Sequence, residues 1–453
     1  MDVREAIHTQ PMKAFQIVAI AICLIITMID GYEILVVAFV APYLSKDWNI
    51  GPVEIGYLLS AGVFGMAAGA IFISPFADRI GRRKHILICL VLIVVGMCLA
   101  GMAQSVPQMM ALRAFSGLWM GGIVASLNVI VAELSSDQRR GTVMGIYGIG
   151  FPAGVALGGA VTGLLIAEWG WRAPFFFGGI CTAIMAVVAL VALPESIEYL
   201  VERRPRGALE AYNRIAAKLG YAPAAELPQP RSAAIAKAGA RAIFSGALLR
   251  RTVFLWIGFA FLIVSFYFAN TWTPKLIADA TGNAGLGVRA GVLIAVGGVL
   301  GALAFAALCL RFRPRLVTVL LMFCGAVSFT LFANNFANAG LGLVLAVAVG
   351  MFANGGLAAF YAISPTIYPA AVRGTGVGLM IGFGRAAAII APIFTGYLLK
   401  AGWAPDTVYQ FFAGLLIVAG IATLLLDGSY RGYSEDPEAA ADGLPSSGTA
   451  GTA

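Results

Sequence analysis

Two carboxylates stand three residues apart in an otherwise apolar stretch: Asp30 and Glu33, in Thr27-Met28-Ile29-Asp30-Gly31-Tyr32-Glu33-Ile34-Leu35. That spacing puts both on one face of a helix. Apolar sequence fills residues 15–28 before them and 34–40 after them. A charge at bilayer depth costs about 2.5–3.5 kcal/mol on insertion scales, so a pair of acids there points to charge-handling chemistry, not stability. Two cations also fall inside apolar stretches, Arg113 and Arg385. Burial disfavours the charged form of a carboxylate and a nearby guanidinium favours it, so moving the guanidinium switches the affinity for a proton. Asp30, Glu33 and Arg113 therefore form the candidate proton-coupling set; the competing reading is a purely structural ion cluster. Histidine offers no alternative carrier, because the only two, His8 and His85, lie in the N-terminal tail and at a span edge.

Arg385 has no carboxylate near it within its own span. Its neighbours, Gly382, Phe383, Gly384 and three alanines at 386–388, leave room for a ligand beside the helix. A lone guanidinium facing a cavity suits a solute carboxylate, which it holds through two parallel hydrogen bonds; a carboxylate of the first span is the other possible partner. Trp119, Asn128, Tyr147, Tyr267, Asn270, Trp272, Asn354 and Tyr361 are candidates to complete a binding pocket. Any one of them is more often a packing residue, but as a set they favour a solute with a flat ring. A third group, Asp78, Arg79, Arg82 and Arg83 with Glu133 and Arg140, has the mixed charge of a cytoplasmic gate that makes and breaks as two bodies rock. There Asp78 would bond the N–H groups at the end of a neighbouring helix in one conformation only.

The elements that must position these residues follow from composition. The 453-residue chain is 60% hydrophobic and 11% charged, with mean hydropathy +0.89. Soluble domains carry about 25% charged residues, so the fold class expected is an all-α polytopic membrane protein. Twelve apolar spans are read at 14–44, 56–77, 85–102, 106–134, 142–166, 174–193, 252–273, 290–310, 316–336, 339–367, 374–399 and 405–426. Of the 30 Lys and Arg residues, 23 lie in the tails and on one side, five on the other and two inside spans. The positive-inside rule then places both termini in the cytoplasm, and this asymmetry argues against nucleic acid as a partner. The depths agree with a shared site. Asp30 lies about 24 Å along span 1, Arg113 about 10 Å into span 4 from the other side, and Arg385 about 16 Å along span 11. The six cysteines form no CxxC and read as packing residues, and no metal or cofactor site is expected.

The organisation expected is a tail at 1–13, a six-helix bundle at 14–193, a cytoplasmic central loop at 194–251, a second six-helix bundle at 252–427 and a disordered tail at 428–453. Residues 198–219 have the pattern of an amphipathic helix lying on the membrane surface. The halves are related: Arg140-Gly141-Thr142 recurs as Arg373-Gly374-Thr375, and the same offset carries Gly145 onto Gly378, Gly163 onto Gly396 and Pro152 onto Arg385. Parallel six-helix repeats put a solute site between the halves near the midplane.

Several of these segments resemble a known family. Ala77-Asp78-Arg79-Ile80-Gly81-Arg82-Arg83 is similar to the loop 2–3 signature of the major facilitator superfamily. Arg113 with Gly117 resembles its span 4 motif, and Gly150, Pro152, Gly154, Gly158 and Gly159 resemble its Gly/Pro-rich span 5. Leu193-Pro194-Glu195-Ser196 after span 6 fits as well. Within that superfamily, Asp30-Gly31-Tyr32-Glu33 and Gly382-Phe383-Gly384-Arg385 resemble the aromatic acid:H⁺ symporters, whose span 1 motif carries Asp where this chain has Glu33. The loop signature normally opens with Gly, where Ser74 stands here, and its second-half copy at 310–315 has lost the Asp and Gly. The resemblance implies a monomeric, non-enzymatic carrier of the bacterial inner membrane. It would import a hydroxybenzoate-type carboxylate with protons, Asp30 and Glu33 serving coupling and Arg385 the substrate carboxylate. Proton symport of another organic acid is the first alternative and a drug/H⁺ antiporter the second, though the latter calls for a cation-binding pocket that Arg385 disfavours. A membrane enzyme would need a catalytic or metal cluster, and no HExxH, GxSxG or Cys/His site is present; a sensor that binds without transport is the remaining rival.

Overall fold

The computed structural model describes residues 3–229, 243–244, 246–335, 338–368 and 370–429. Among the described residues every element is helical: α1 (Val3–Thr9), α2 (Ala14–Asp47), α3 (Pro52–Phe72), α4 (Ala77–Ile80), α5 (Arg82–Gly101), α6 (Val106–Glu133), α7 (Arg140–Trp169), α8 (Ala173–Ala192), α9 (Ile197–Arg203), α10 (Ala208–Lys218), α11 (Gly246–Thr281), α12 (Ala284–Cys309), α13 (Pro314–Asn334), α14 (Ala339–Ile367), α15 (Ala370–Lys400) and α16 (Pro405–Ser429), with a 3₁₀ turn at Ser74–Phe76. Among the described residues, twelve of these helices are long and apolar enough to cross a membrane. They match the twelve spans in number and order: α2, α3, α5, α6, α7 and α8, then α11 to α16. In lipid each backbone N–H and C=O must be satisfied within its own helix, which is why such runs adopt no other form.

Glycine sets the packing. Apolar side chains gain little by leaving lipid for another apolar surface, so close backbone contact must hold the bundle. In the first half Gly65 and Gly69 of α3 press on the carbonyls of Ala114 and Leu118 in α6. In the second half Gly297 and Gly301 of α12 press on those of Val347 and Met351 in α14. A methyl group at any of the four would collide with backbone. The glycines repeat at an offset of 232 and their carbonyl partners at 233, the register of the Arg-Gly-Thr repeat, and they extend the relationship between the halves beyond what that tripeptide carried.

Two expectations for the periphery are corrected. The 198–219 segment is two helices, because Pro205 and Gly207 interrupt it and both Arg204 and Gly207 take left-handed backbone angles. The apolar face of α10, with Tyr212, Ile215 and Ala216, is buried in a core shared with the ends of the first six spans, not turned to a lipid surface. Nor is 1–13 a plain tail: Val3 and Ile7 of α1 join the same core, and the Val3 N–H donates to the Tyr212 hydroxyl at 3.0 Å. The central segment ends earlier than residue 251, since α11 begins at Gly246, and its residues 230–242 and 245 lie outside the described residues. So does the tail from residue 430 on.

Candidate functional site

Among the described residues, the hydrogen bonds between the two halves lie toward one end, the end away from α1, α9 and α10. There the Ser60 hydroxyl of α3 donates to the Ile389 carbonyl of α15 at 2.7 Å, and the Tyr57 and Tyr397 hydroxyls lie 3.2 Å apart. Gly56 of α3 presses on the Pro392 carbonyl of α15, which within the second half also accepts the Trp272 indole N–H of α11 at 3.1 Å. On the other side Gly159 and Gly163 of α7 face Val292 and Val288 of α12. Toward the opposite end the same faces splay apart. Gly145 lies 18 residues before Gly163, and Gly378 18 before Gly396, a whole number of helical turns at 3.6 residues each. Where Gly163 and Gly396 touch the other half, a side chain at Gly145 or Gly378 would meet nothing within 4 Å, and the same holds at Gly141, Gly148 and Gly382. The result is a cleft between the halves, closed at the far end and open at the end that carries α1.

Arg385 sits at the apex of that cleft. It is one turn before Ile389 and two before Pro392, on the face that seals, and one turn after Gly382, where the face is open. It is half-buried, and no hydrogen bond or ion pair to it occurs among the described residues. It lies within electrostatic reach of Asp30 from the other half and of Tyr267 and Tyr361. Tyr267 is within electrostatic reach of Asp30 as well. Tyr361 is 44% exposed and its ring is 5.8 Å from that of Phe259, giving the cleft an aromatic wall.

The acids are disposed differently from each other. Asp30 is 6% exposed and its Oδ1 is buried without a partner. Glu33 is 1% exposed and turns into the first half, where its Oε1 lies 2.6 Å from the Thr182 hydroxyl of α8. Both border a void lined by Ile26, Ile29, Leu90, Ile93, Ile123, Thr182 and Met185. Arg113, expected level with Asp30, reaches α2 about one turn further along, at Glu33 and Ile34, and among the described residues it makes no ion pair with either acid. Its Nη2 donates to the backbone carbonyls of Glu33 at 2.7 Å and Ile34 at 3.3 Å, and Nη1 approaches Met97 Sδ at 3.3 Å. Gly62 allows this approach, since a side chain there would touch the guanidinium.

The remaining pocket candidates divide. Tyr147 borders Asp30 electrostatically, and its hydroxyl lies 2.9 Å from that of Thr27. Asn128, Asn270 and Asn354 each donate to the carbonyl four residues back on their own helix, and Asn354 also packs against Gly298. Trp119 packs edge-on against Phe115 with its N–H buried and unpartnered. Trp272 is buried and spends its indole N–H within the second half, on the Pro392 carbonyl of α15.

At the open end, Arg82 donates to Glu133 Oε1 and to the Ser196 hydroxyl, both at 2.8 Å, and Ser196 donates to the same carboxylate at 2.9 Å. The Asp78 side chain is 65% exposed, and its hydrogen-bonded ion pair among the described residues is with Arg82, at 3.4 Å. The Arg83 N–H donates to Glu195 at 2.9 Å and its guanidinium to the Leu190 carbonyl; the Arg79 carbonyl accepts from Tyr199 at 3.3 Å. Arg140 reaches the Ala132 carbonyl at 3.0 Å and Asp137 at 3.9 Å. None of these contacts reaches the second half; they stay within the first half and the start of the central segment, as an open end requires. Gly81 has φ of +100°, and any side chain there would strike Glu195 and Tyr199. The sequence reading missed Thr182, Ser60, Tyr57 and Tyr397; a threonine inside an apolar span was the one available signal for the first.

Twelve spans in two related six-helix halves, clasped at one end around buried charges, define a secondary carrier. The chain belongs to the Major Facilitator Superfamily, whose profile matches residues 20–336 and 292–448. Among curated relatives, the 4-hydroxybenzoate transporter PcaK of Pseudomonas aeruginosa is 30% identical over 427 residues, covering 93% of this chain and 94% of that protein. The gallate transporter of Pseudomonas putida is 28% identical over 438 residues, covering 95% and 96%. Among solved structures, the proton:xylose symporter XylE bound to 6-bromo-6-deoxy-D-glucose shares the fold, with TM-score 0.69, 15% identity and coverage of 94% of this chain and 99% of that one. The family and these relatives are transporters, not enzymes, and the chain is a multi-pass membrane protein.

Proposed function

We propose that this chain is a proton symporter that imports an aromatic monocarboxylate by alternating access, with both termini and the open end of the cleft in the cytoplasm. The observation that carries the reading is Arg385 at the apex of the cleft, unpaired among the described residues and within electrostatic reach of Asp30. In the empty carrier Asp30 is the counter-charge of Arg385. An entering carboxylate takes the guanidinium through two hydrogen bonds, and Asp30, relieved of that role beside a new anion, gains affinity for a proton. Tyr267 and Tyr361 offer ring faces and hydroxyls to a flat phenolic solute. Closing the open end would bring Asp78 to the splayed start of α15 and break the seal of Ser60, Tyr57 and Tyr397. The names of the relatives, which handle 4-hydroxybenzoate and gallate, support this solute class.

The test is uptake of labelled 4-hydroxybenzoate, gallate and benzoate into proteoliposomes, with and without an inward proton gradient. Gradient-stimulated accumulation of at least one acid is expected; none across the panel would reject the substrate class. A second test addresses the orientation and state. A cysteine placed at Gly378 in a cysteine-free background is expected to react with a membrane-impermeant thiol reagent from the cytoplasmic side, and one at Ser60 from neither side. Reaction of the Gly378 cysteine from the outside only would reverse the orientation.

A further inference from the structure

We infer that Glu33 is a fixed, protonated hydrogen-bond donor and that a single proton, carried by Asp30, accompanies each solute anion. This deepens the symport reading and rests on it for the transported proton, though the state of Glu33 itself does not. The argument starts from one hydroxyl. Thr182 Oγ1 lies 2.6 Å from Glu33 Oε1 and 2.9 Å from the Gly178 carbonyl oxygen. A hydroxyl has one proton to give. A threonine inside a helix commonly gives it to the carbonyl four residues back, here Gly178. Both contacts are hydrogen bonds at once only if the proton between Thr182 and Glu33 belongs to Glu33.

The guanidinium beside it agrees. Arg113 donates from Nη2 to the backbone carbonyls of Glu33 and Ile34 and from Nη1 to Met97 sulfur, keeps its Nε buried without a partner, and still leaves the Glu33 carboxyl alone. Two opposite charges side by side and unpaired in a dry interior would each keep a desolvation cost of several kcal/mol that pairing offsets. A neutral carboxyl has no such demand. The groups facing Glu33 are Asp30 and Tyr32 on its own helix, Met97 of α5, Arg113 of α6, and Gly178, Cys181 and Thr182 of α8. Asp30 differs: it has an unpartnered oxygen and the field of Arg385 across the cleft. The buried charge then balances. The empty carrier holds Arg113, Arg385 and ionised Asp30; the loaded one holds Arg113, Arg385, the solute anion and neutral Asp30. The net charge is the same in both, so the loaded and empty carriers cross the membrane field alike and transport of a monoanion is electroneutral.

The experiment has two arms on the reconstituted full-length protein. In the first, which needs no solute, the infrared spectrum at neutral pH is compared between wild type and Glu33→Gln. A carbonyl stretch of a protonated carboxylic acid, present in wild type and lost in the variant, is expected; its absence from wild type overturns the inference. In the second, a membrane potential without a pH gradient is imposed on wild-type proteoliposomes with 4-hydroxybenzoate. No accumulation above passive entry is expected, whereas accumulation on the potential alone means a second proton and overturns it. Glu33→Gln, whose amide also donates to Thr182, is expected to keep the wild-type proton:solute ratio whatever its rate. Thr182→Val is expected to slow uptake and Thr182→Ser to restore it. If no solute is taken up under any gradient, the symport reading fails, while the infrared arm still decides the state of Glu33.

Discussion

Arg385→Ala is expected to abolish measurable binding of 4-hydroxybenzoate and all gradient-driven uptake. Removing one partner of a desolvated charge pair costs about 2–5 kcal/mol, which is a Kd increase of about 30-fold at least. Little in the structure depends on this side chain, since no hydrogen bond or ion pair to it occurs among the described residues. Its neighbour Gly384, packed on Phe259, holds α15 to α11 without it. The variant should therefore fold, and its melting temperature should stay near that of wild type. Arg385→Lys keeps the charge but loses the planar fork. Loss of one charge-assisted hydrogen bond is worth about 1.5–3 kcal/mol, so a Kd increase of roughly 10- to 150-fold is expected. Equilibrium binding of labelled solute to the purified protein measures both. Wild-type affinity in the alanine variant would show that the carboxylate is held elsewhere.

The placement of Arg385 shows how far sequence reaches. Its depth came from counting residues at a fixed rise, because a membrane helix has no freedom to deviate from it. The same count put Arg113 level with Asp30, whereas its guanidinium meets α2 about one turn further on, at the Glu33 carbonyl. What counting along a helix cannot give is rotation relative to neighbours. Glu33 reads as the equal of Asp30 in the sequence, yet it turns toward Thr182 on α8 while Asp30 keeps an unpartnered oxygen and the field of Arg385. Asn128, Asn270 and Asn354 read as pocket amides, yet each satisfies itself on its own helix, an option any asparagine in a dry helix has. The break in 198–219 has a local signal, since proline inside a helix and a glycine in the left-handed region both end one, and Pro205 and Gly207 divide α9 from α10. The docking of α1 on Tyr212 had no local signal, because that contact joins residues 209 apart.

Asp30→Asn is expected to spare solute binding and exchange while removing accumulation. Asparagine mimics the protonated acid: it is neutral, fits the same space and leaves Arg385 without a competitor for the incoming carboxylate. Exchange of labelled for unlabelled 4-hydroxybenzoate across the membrane needs no net proton movement, so it should persist within about threefold of wild type. Uphill accumulation under a pH gradient should fall to the level of equilibration, because nothing is left to carry the driving ion. The pH dependence of binding follows with a definite sign. If each anion binds with one proton taken up by Asp30, linkage requires that Kd be flat below the range where Asp30 titrates and rise above it. The rise is about tenfold per pH unit, since one proton is exchanged. In Asp30→Asn the Kd should be independent of pH over the interval where the solute stays a monoanion. A wild-type slope of about a hundredfold per unit would mean that two carboxyls load together, and Glu33 would then have to be the second. A slope that survives unchanged in Asp30→Asn would move the coupling site off span 1 altogether.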